Sequence, residues 1–263
     1  MKTIAYTALL YGSDYLPYAI RSIIDYVDEY WVLYTENPSH GHRGGGVPKP
    51  QRESRENLYR IATLAAGNKL HWIDGNWHYE GQHRDTIFEV CPDADMILVL
   101  DSDEIWTDGL PFVAINFWKM NWNHLALPPY RNYRVPIIHY WRSFHRCVLY
   151  DPAYPVRVIY PQVEGGEAVL DSFDKWGCQG NQQINHMGYA IRPDLMRYKL
   201  SIHGHKNEFP DIEKWYQGKF LANEQEDCHP VGSEYWNPET VDPMDHLPQF
   251  MQEHPFYEMD VIE

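Results

Sequence analysis

The chain has 263 residues, 44% of them apolar and 22% charged, which excludes a disordered or collagen-like polymer and leaves room for one large core at about 100–200 residues per domain. Its formal charge of −15, taken alone, argues against polyanionic partners. No apolar run approaches the roughly 18 residues that a membrane span requires.

The charge is unevenly spread. Residues 220–263 hold 11 acidic side chains and no Lys or Arg, leaving 26 acidic against 22 basic residues, a net −4, in residues 1–219. The body is therefore nearly balanced and can accept an anionic ligand, particularly through a divalent cation. Cys91, Cys147, Cys178 and Cys228 stand far apart with no C-x-x-C, so neither a zinc knuckle nor a disulfide scaffold is indicated, and a reducing, cytoplasmic setting is expected.

Lys2 to Leu9 reads as a buried strand, cut off by Tyr11-Gly12-Ser13-Asp14, and not as a signal peptide, because no small-residue cleavage site follows. Ser13 or Asp14 offers an N-cap for a helix with Leu16, Ile20, Ile23, Ile24 and Val27 at helical spacing. Tyr30–Tyr34 is aromatic and β-branched and runs into Thr35-Glu36-Asn37-Pro38, a second strand ending in a loop. The three elements make a right-handed parallel β-α-β unit.

Residues 40–50 contain Gly44-Gly45-Gly46 and two prolines and predict a loop ahead of a helix over about Arg52–Ala66. The glycines lack a following Lys-Ser or Lys-Thr, so they make a poor phosphate cradle. Arg43, Lys49, Arg52, Arg55 and Arg60 form a modest basic cluster, which a solvated helix face also explains. A third strand at Lys69–Ile73, a third helix at Gly81–Val90 and the wholly apolar Met96–Leu100 complete an alternation that implies a parallel sheet with helices on both faces. Ligand sites in such sheets lie beyond the carboxyl ends of the strands.

Beyond Trp106 the pattern loosens. Strand-like pieces fall at Leu125–Pro128, Val148–Tyr150 and Val156–Tyr160, and a helical stretch at Asp194–Ser201. The acidic end, rich in proline and spaced by Trp236, Phe250, Phe256 and Tyr257, predicts an irregular segment pinned to the body by its rings. The expected organisation is a catalytic body over 1–219, divided into a nucleotide-binding half 1–106 and an acceptor half 107–219, with 220–263 packed on it.

Asp101-Ser102-Asp103 follows the apolar strand directly, so two carboxylates at i and i+2 emerge together from a buried strand end. Paired anions repel unless a cation joins them, and hard oxygen ligands suit Mg²⁺ or Mn²⁺, which complete their shells with water and substrate phosphate. A cap or a turn would use the same residues, and D-x-D alone is common.

Met96–Glu104, reading MILVLDSDE, resembles the D-x-D segment of nucleotide-sugar-dependent glycosyltransferases of the GT-A fold, especially family-2-like ones. The opening strand-helix-strand with its Thr35–Asn37 loop and the helix carrying Arg84-Asp85 are similar to that family's nucleotide-binding half, and Ile184–Tyr189 looks like its late H-x-G-Y stretch. The resemblance covers about Met1–Trp106 and thins afterwards; the family's usual Asp after the second strand is Glu36 here.

The resemblance implies a Rossmann-like, mostly parallel α/β sheet flanked by helices. It also implies a nucleoside diphosphate sugar as donor, with Mn²⁺ or Mg²⁺ held by Asp103 and His186. Asp101 would contact the ribose, or the metal through water. Thr35, Glu36 and Arg84 would face the nucleotide. The metal would neutralise the departing diphosphate. His203 and His205 are alternative ligands among 14 histidines. An inverting transferase also needs a carboxylate base, for which Glu167 is the first candidate and Glu164 and Asp171 the others.

The acceptor is open: a glycan, a small molecule or, with least support, a nucleic acid approached by the basic loop. Two other classes compete. One is a metal-dependent phosphoester hydrolase using Asp101, Asp103, His203 and His205. The other is a non-catalytic carbohydrate-binding protein, suggested only by the 15% aromatic content.

Overall fold

The computed structural model describes residues 1–39, 46–123, 130–149, 151, 154–169, 183–202, 211–224, 228–230 and 236–262, with the side chains of 117–123 and 168–169 outside that description. Asp171, His203, His205, Arg43 and the expected strand at Leu125–Pro128 lie outside the described residues.

The apolar runs form β1 (Thr3–Leu9), β2 (Glu29–Thr35), β3 (Leu70–Gly75) and β4 (Met96–Val99), which pair in parallel in the order β3-β2-β1-β4. Alternation sends β4 residues both ways. Met96, Leu98 and Leu100 enter the larger core, while Ile97 and Val99 join Ile4, Tyr6, Leu33 and Ile87 on the other face. A strand covered on both sides reads as an unbroken apolar run.

Helices α1 (Leu16–Ile23), α2 (Arg55–Ala66) and α3 (Glu80–Val90) are the crossovers. α1 buries Leu16, Ala19, Ile20 and Ile23, a stripe at helical spacing. Its start differs from expectation: Tyr15, not Ser13 or Asp14, is the N-cap and offers no side-chain cap. The Gly12 carbonyl accepts from the Tyr15 and Leu16 amides instead, and Ser13 is turned to the buried Glu53, whose carboxylate accepts from its hydroxyl at 2.6 Å and from the Gly12 amide at 2.7 Å. α2 is capped by Ser54 and begins at Arg55 because Gln51–Glu53 forms a separate 3-10 turn.

After β4 the chain turns into β5 (Glu104–Trp106) and α4 (Leu110–Asn123). Then follow β6 (Asn132–Arg134), β7 (Ile137–Trp141), β8 (Arg146–Val148), β9 (Val156–Ile159), β10 (Glu167–Val169) and β11 (Ile184–Tyr189). β9 extends the first sheet antiparallel to β4, and the full order is β10-β6-β9-β4-β1-β2-β3. A second sheet, β12-β8-β7-β11-β5, closes with β12 (Glu239–Thr240). Helix α5 (Pro193–Ile202) follows β11, and a short α6 (Ile212–Trp215) runs into a π-helical stretch, Tyr216–Leu221. The architecture is a mixed α/β, Rossmann-like fold: a central sheet flanked by helices, with a smaller sheet beside it. Among the described residues no helix is long and apolar enough to cross a membrane.

The C-terminal segment meets the body through rings and ion pairs. His254 stacks on Tyr15 at 4.7 Å, Arg21 pairs with Glu253 at 2.6 Å, and Arg192 lies 5.2 Å from the Phe256 ring centre. Arg142, in the left-handed region at φ 57°, donates to Asp260 and to the Phe220 and Leu221 carbonyls, and its own carbonyl accepts from Val261.

Candidate functional site

Strand register builds the site. β5 lies antiparallel to β11 with Glu104 opposite His186, and the Met187 amide donates to the Asp103 carbonyl at 2.7 Å. Two residues 83 positions apart are thereby fixed side by side: His186 Nε2 is 3.5 Å from Asp103 Oδ2. β7 lies parallel to β11 with His139 level with His186. The two imidazoles meet edge to face, Nδ1 to Nδ1 at 2.7 Å, and His139 Nε2 lies 2.9 Å from the Asp151 carboxylate.

Asp101 and Asp103 face different partners. Asp101 is held by two guanidinium groups, Arg84 at 3.1 Å from α3 and Arg157 at 2.7 Å from β9. Burial alone would raise its carboxyl pKa, but the two arginines bring it below the usual value. Arg157 also binds Glu104 in a two-pronged pair. Burial holds Glu104 above its usual value despite that guanidinium. The Asp101 charge is the first reason that Arg84 is raised, and Arg84 also reaches Glu80 at 2.8 Å.

Asp103 points toward His186 and toward Lys199 of α5, whose Nζ is 3.5 Å from the same Oδ2 and donates to the Gly188 carbonyl at 3.0 Å. Burial would raise the Asp103 carboxyl, yet the neighbouring His186 and Lys199 hold it far below the usual range. Burial lowers His139 from 6.5 to about 4, so its ring is neutral at pH 7. Gly188 supplies the clearance. A Cβ there would lie 2.4 Å from His186 Cε1 and Nε2 and 2.7 Å from Lys199 Nζ.

The loop between the aspartates is anchored from the β1–α1 turn. Ser102 Oγ donates to the Tyr11 carbonyl at 2.8 Å, and a Cβ on Gly12 would fall 2.2 Å from that Oγ. At the end of β2, Thr35 is buried and donates to the Asn37 carbonyl. Glu36 accepts from Lys49 at 3.0 Å and from the Tyr34 hydroxyl. A cavity of about 410 Å³ opens there, lined by Glu36, Asn37, Val47, Lys49 and Tyr198 among others. Tyr198 and Lys199 are adjacent on α5, so one helix touches both this cavity and Asp103.

The acidic turn is elsewhere. Glu167 is exposed and paired with Arg134 at 2.6 Å on β10, the outermost strand and three places from β4, while Glu164 is exposed in the preceding turn. The structure therefore groups Asp101, Asp103, Arg84 and His186 and leaves Glu164 and Glu167 apart from them. The basic cluster is largely taken up by carboxylates: Lys49 by Glu36, Arg52 by Asp194 and Arg55 by Asp74.

Sequence reasoning missed Arg157, Glu104, His139, Asp151 and Lys199. A charge inside the apolar VRVI and a histidine inside IIHYW are visible signals, because such groups are buried only with partners. Asp151 and Lys199 give none.

Asp103 Oδ2 and His186 Nε2 suit a divalent ion. Two ligands on adjacent corners of an octahedron with bonds of about 2.1 Å lie about 3 Å apart, near the 3.5 Å found. Among the described residues no group of three His, Cys, Asp or Glu surrounds one point, so such an ion would take its remaining ligands from water and phosphate.

No protein-family profile matches the chain, and no curated protein matches it significantly in sequence. Among solved structures, UDP-glucose pyrophosphorylase complexed with UDP-glucose is similar at 9% identity and TM-score 0.32, covering 71% of this chain and 90% of that one. UTP-bound UGPase from Acinetobacter baumannii is similar at 10% identity and TM-score 0.26, over 55% and 58%. Scores this low carry no argument about the chemistry of this chain.

Proposed function

We propose that this protein is a metal-dependent glycosyltransferase that moves a sugar from a nucleoside diphosphate donor to an acceptor hydroxyl. The observation that carries the reading is the Asp103–His186 pair, one oxygen and one nitrogen donor 3.5 Å apart beyond the carboxyl end of β4.

In this reading Asp103 and His186 would hold Mn²⁺ or Mg²⁺, which would supply Lewis-acid stabilisation of the diphosphate leaving group. Asp101, with one carboxylate oxygen on Arg84 and the other on Arg157, would face the ribose. The nucleoside lies toward Thr35 and the Glu36 cavity, and Lys199 offers a positive charge to the diphosphate. A carboxylate base must also reach the acceptor hydroxyl; Glu167 and Glu164 stand apart from Asp103 and His186 and Asp171 lies outside the described residues, so the geometry assigns the role to none of the three. Residues 1–106 supply Thr35, Glu36, Arg84, Asp101 and Asp103 to the donor side, while 107–219 add Arg157, His186 and Lys199 to it and carry the acceptor side.

The test is a thermal-shift screen of nucleoside diphosphate sugars with and without Mn²⁺, because a ligand selective for the native state raises its melting point by mass action. A donor stabilising only with Mn²⁺ in the wild type, and not in Asp103→Asn, is the expected result. Undiminished sugar transfer by Asp103→Asn overturns the reading.

A further inference from the structure

Helix α5 carries Asp194, Tyr198 and Ile202 at i, i+4 and i+8, which places all three on one face. Tyr198 and Ile202 supply part of the wall of the cavity at the end of β2, about 410 Å³ in volume, and Val47, Pro48 and Lys49 supply another part. The wall therefore comes from two separate segments of chain. Asp194 stands one turn before Tyr198, and Arg52 three residues after Lys49. These two meet in a forked pair: Arg52 Nη1 donates to Asp194 Oδ2 at 2.6 Å and Nη2 donates to Oδ1. Among the described residues no other ion pair joins residues 46–53 to α5.

The fold does not depend on this contact. The start of α5 is held to the body in other ways, by Arg192 on Asp14 at 3.2 Å and by the Tyr216 hydroxyl, which donates to the Pro193 carbonyl at 3.0 Å. The Arg52 and Asp194 side chains are 24% and 54% exposed, and pairs so open to water contribute little to stability. If Asp194 lets go, Arg52 still faces Glu53 at 3.5 Å, so no buried charge is stranded. What the pair does fix is the spacing of the two wall segments. A cleft already held at its working width binds more tightly, because its ligand has no ordering left to impose.

We propose that Arg52 and Asp194 are positioning residues that hold the two wall segments of this cavity at the spacing in which it receives the nucleoside of the donor. The inference rests on the nucleotide reading above and deepens it. Neither side chain lines the cavity; the pair acts through Tyr198 on α5 and through Lys49 on the preceding loop.

The experiment is calorimetric titration of the full chain with UDP in the presence of Mn²⁺ at 25 °C. Asp194→Asn removes the charge and keeps the oxygen that accepts from the Leu195 amide at 2.9 Å. This variant and Arg52→Gln are each expected to weaken UDP about fivefold. The double variant is expected to lose no more than the weaker single one, because a broken pair cannot be broken again. Asp194→Glu, which restores the charge, is expected to recover most of the loss. A contact that only stabilised the fold would lower the melting point and leave the affinity of the folded protein unchanged. Wild-type affinity in Asp194→Asn, or losses that simply add in the double variant, overturns the positioning role. A wild type that binds no UDP in the presence of Mn²⁺ overturns the nucleotide reading instead.

Discussion

Arg157 grips Glu104 through two hydrogen bonds, Nε to Oε2 at 2.7 Å and Nη2 to Oε1 at 2.6 Å, with the carboxylate side chain only 1% exposed. The pair ties β9 of the main sheet to β5 of the smaller one, and Arg157 extends the same guanidinium to Asp101 at 2.7 Å. The strands on which the two aspartates depend are thus joined through one buried cation.

Removing one partner of such a pair leaves the other buried and uncompensated. Arg157→Ala or Glu104→Ala is expected to lose about 3–5 kcal/mol of stability, read as a fall in the urea midpoint. Arg157→Ala should be the more damaging to the site, because Asp101 then keeps only Arg84. A loss below about 1 kcal/mol in both variants would contradict the burial that the structure gives them.

Gly12 and Ser102 make the second tie. Gly12 sits at φ 130°, a conformation that side chains rarely adopt, and a Cβ would collide with Ser102 Oγ at 2.2 Å. Gly12→Ala is expected to cost at least ~2 kcal/mol and to displace the loop between Asp101 and Asp103. Gly67, also at positive φ but with nothing within 4 Å of its Cβ position, is the control: Ala there should pay only the backbone strain. Thermal unfolding of the two variants separates the clash from the strain.

The first half of the fold was legible because local rules agree there. Met96–Leu100 is apolar throughout since both faces of β4 are covered, and α1 shows its buried stripe in the spacing of Leu16, Ile20 and Ile23. Asp101 and Asp103 stood out because a polar run followed a buried strand. What the sequence hid depends on long-range register. His139 and His186 are 47 positions apart and become neighbours only when β7 pairs with β11. Arg157 reaches Glu104 over 53 positions for the same reason. Ser13 could cap α1 by its type, but the buried Glu53 claims its hydroxyl. Local propensity yields when a buried carboxylate needs donors.

His254 gives the chain a pH dependence. Its Nε2 donates to the Asp14 carbonyl at 3.1 Å, while its Nδ1 accepts from the Phe256 amide at 3.0 Å. A ring that donates at one nitrogen and accepts at the other must be neutral. Burial lowers its pKa from 6.5 to about 4. Below pH 6.5 the unfolded chain takes up a proton that the folded chain refuses, so stability falls as pH drops from about 6.5 to 4 and levels off beneath. The contribution is roughly 3 kcal/mol at most. Urea unfolding at pH 7.5 and pH 4.5 should show a smaller difference for His254→Gln than for the wild type. His139, lowered in the same direction, remains in that variant and keeps part of the slope. Equal slopes in the two proteins would show that His254 does not titrate across the window.

Lys199 competes with any ion at Asp103. Its Nζ lies 3.5 Å from Oδ2, inside the region that a divalent cation bound to the same oxygen would fill with positive charge. At equal distance the repulsion from a divalent ion is about twice the attraction to Asp103. If an ion binds there as proposed, the ammonium would have to turn away from it, toward the phosphates of the proposed donor. Lys199→Met keeps the length of the stem and removes the charge. Without donor it is expected to bind Mn²⁺ roughly tenfold more tightly, a gain of about 1.4 kcal/mol. With a nucleoside diphosphate present the advantage should shrink or reverse, because the anion has lost a cationic partner. Titration of wild type and variant with Mn²⁺, in the presence and absence of UDP, reads both effects. Equal Mn²⁺ affinity in the two proteins without UDP would place the ion away from Asp103.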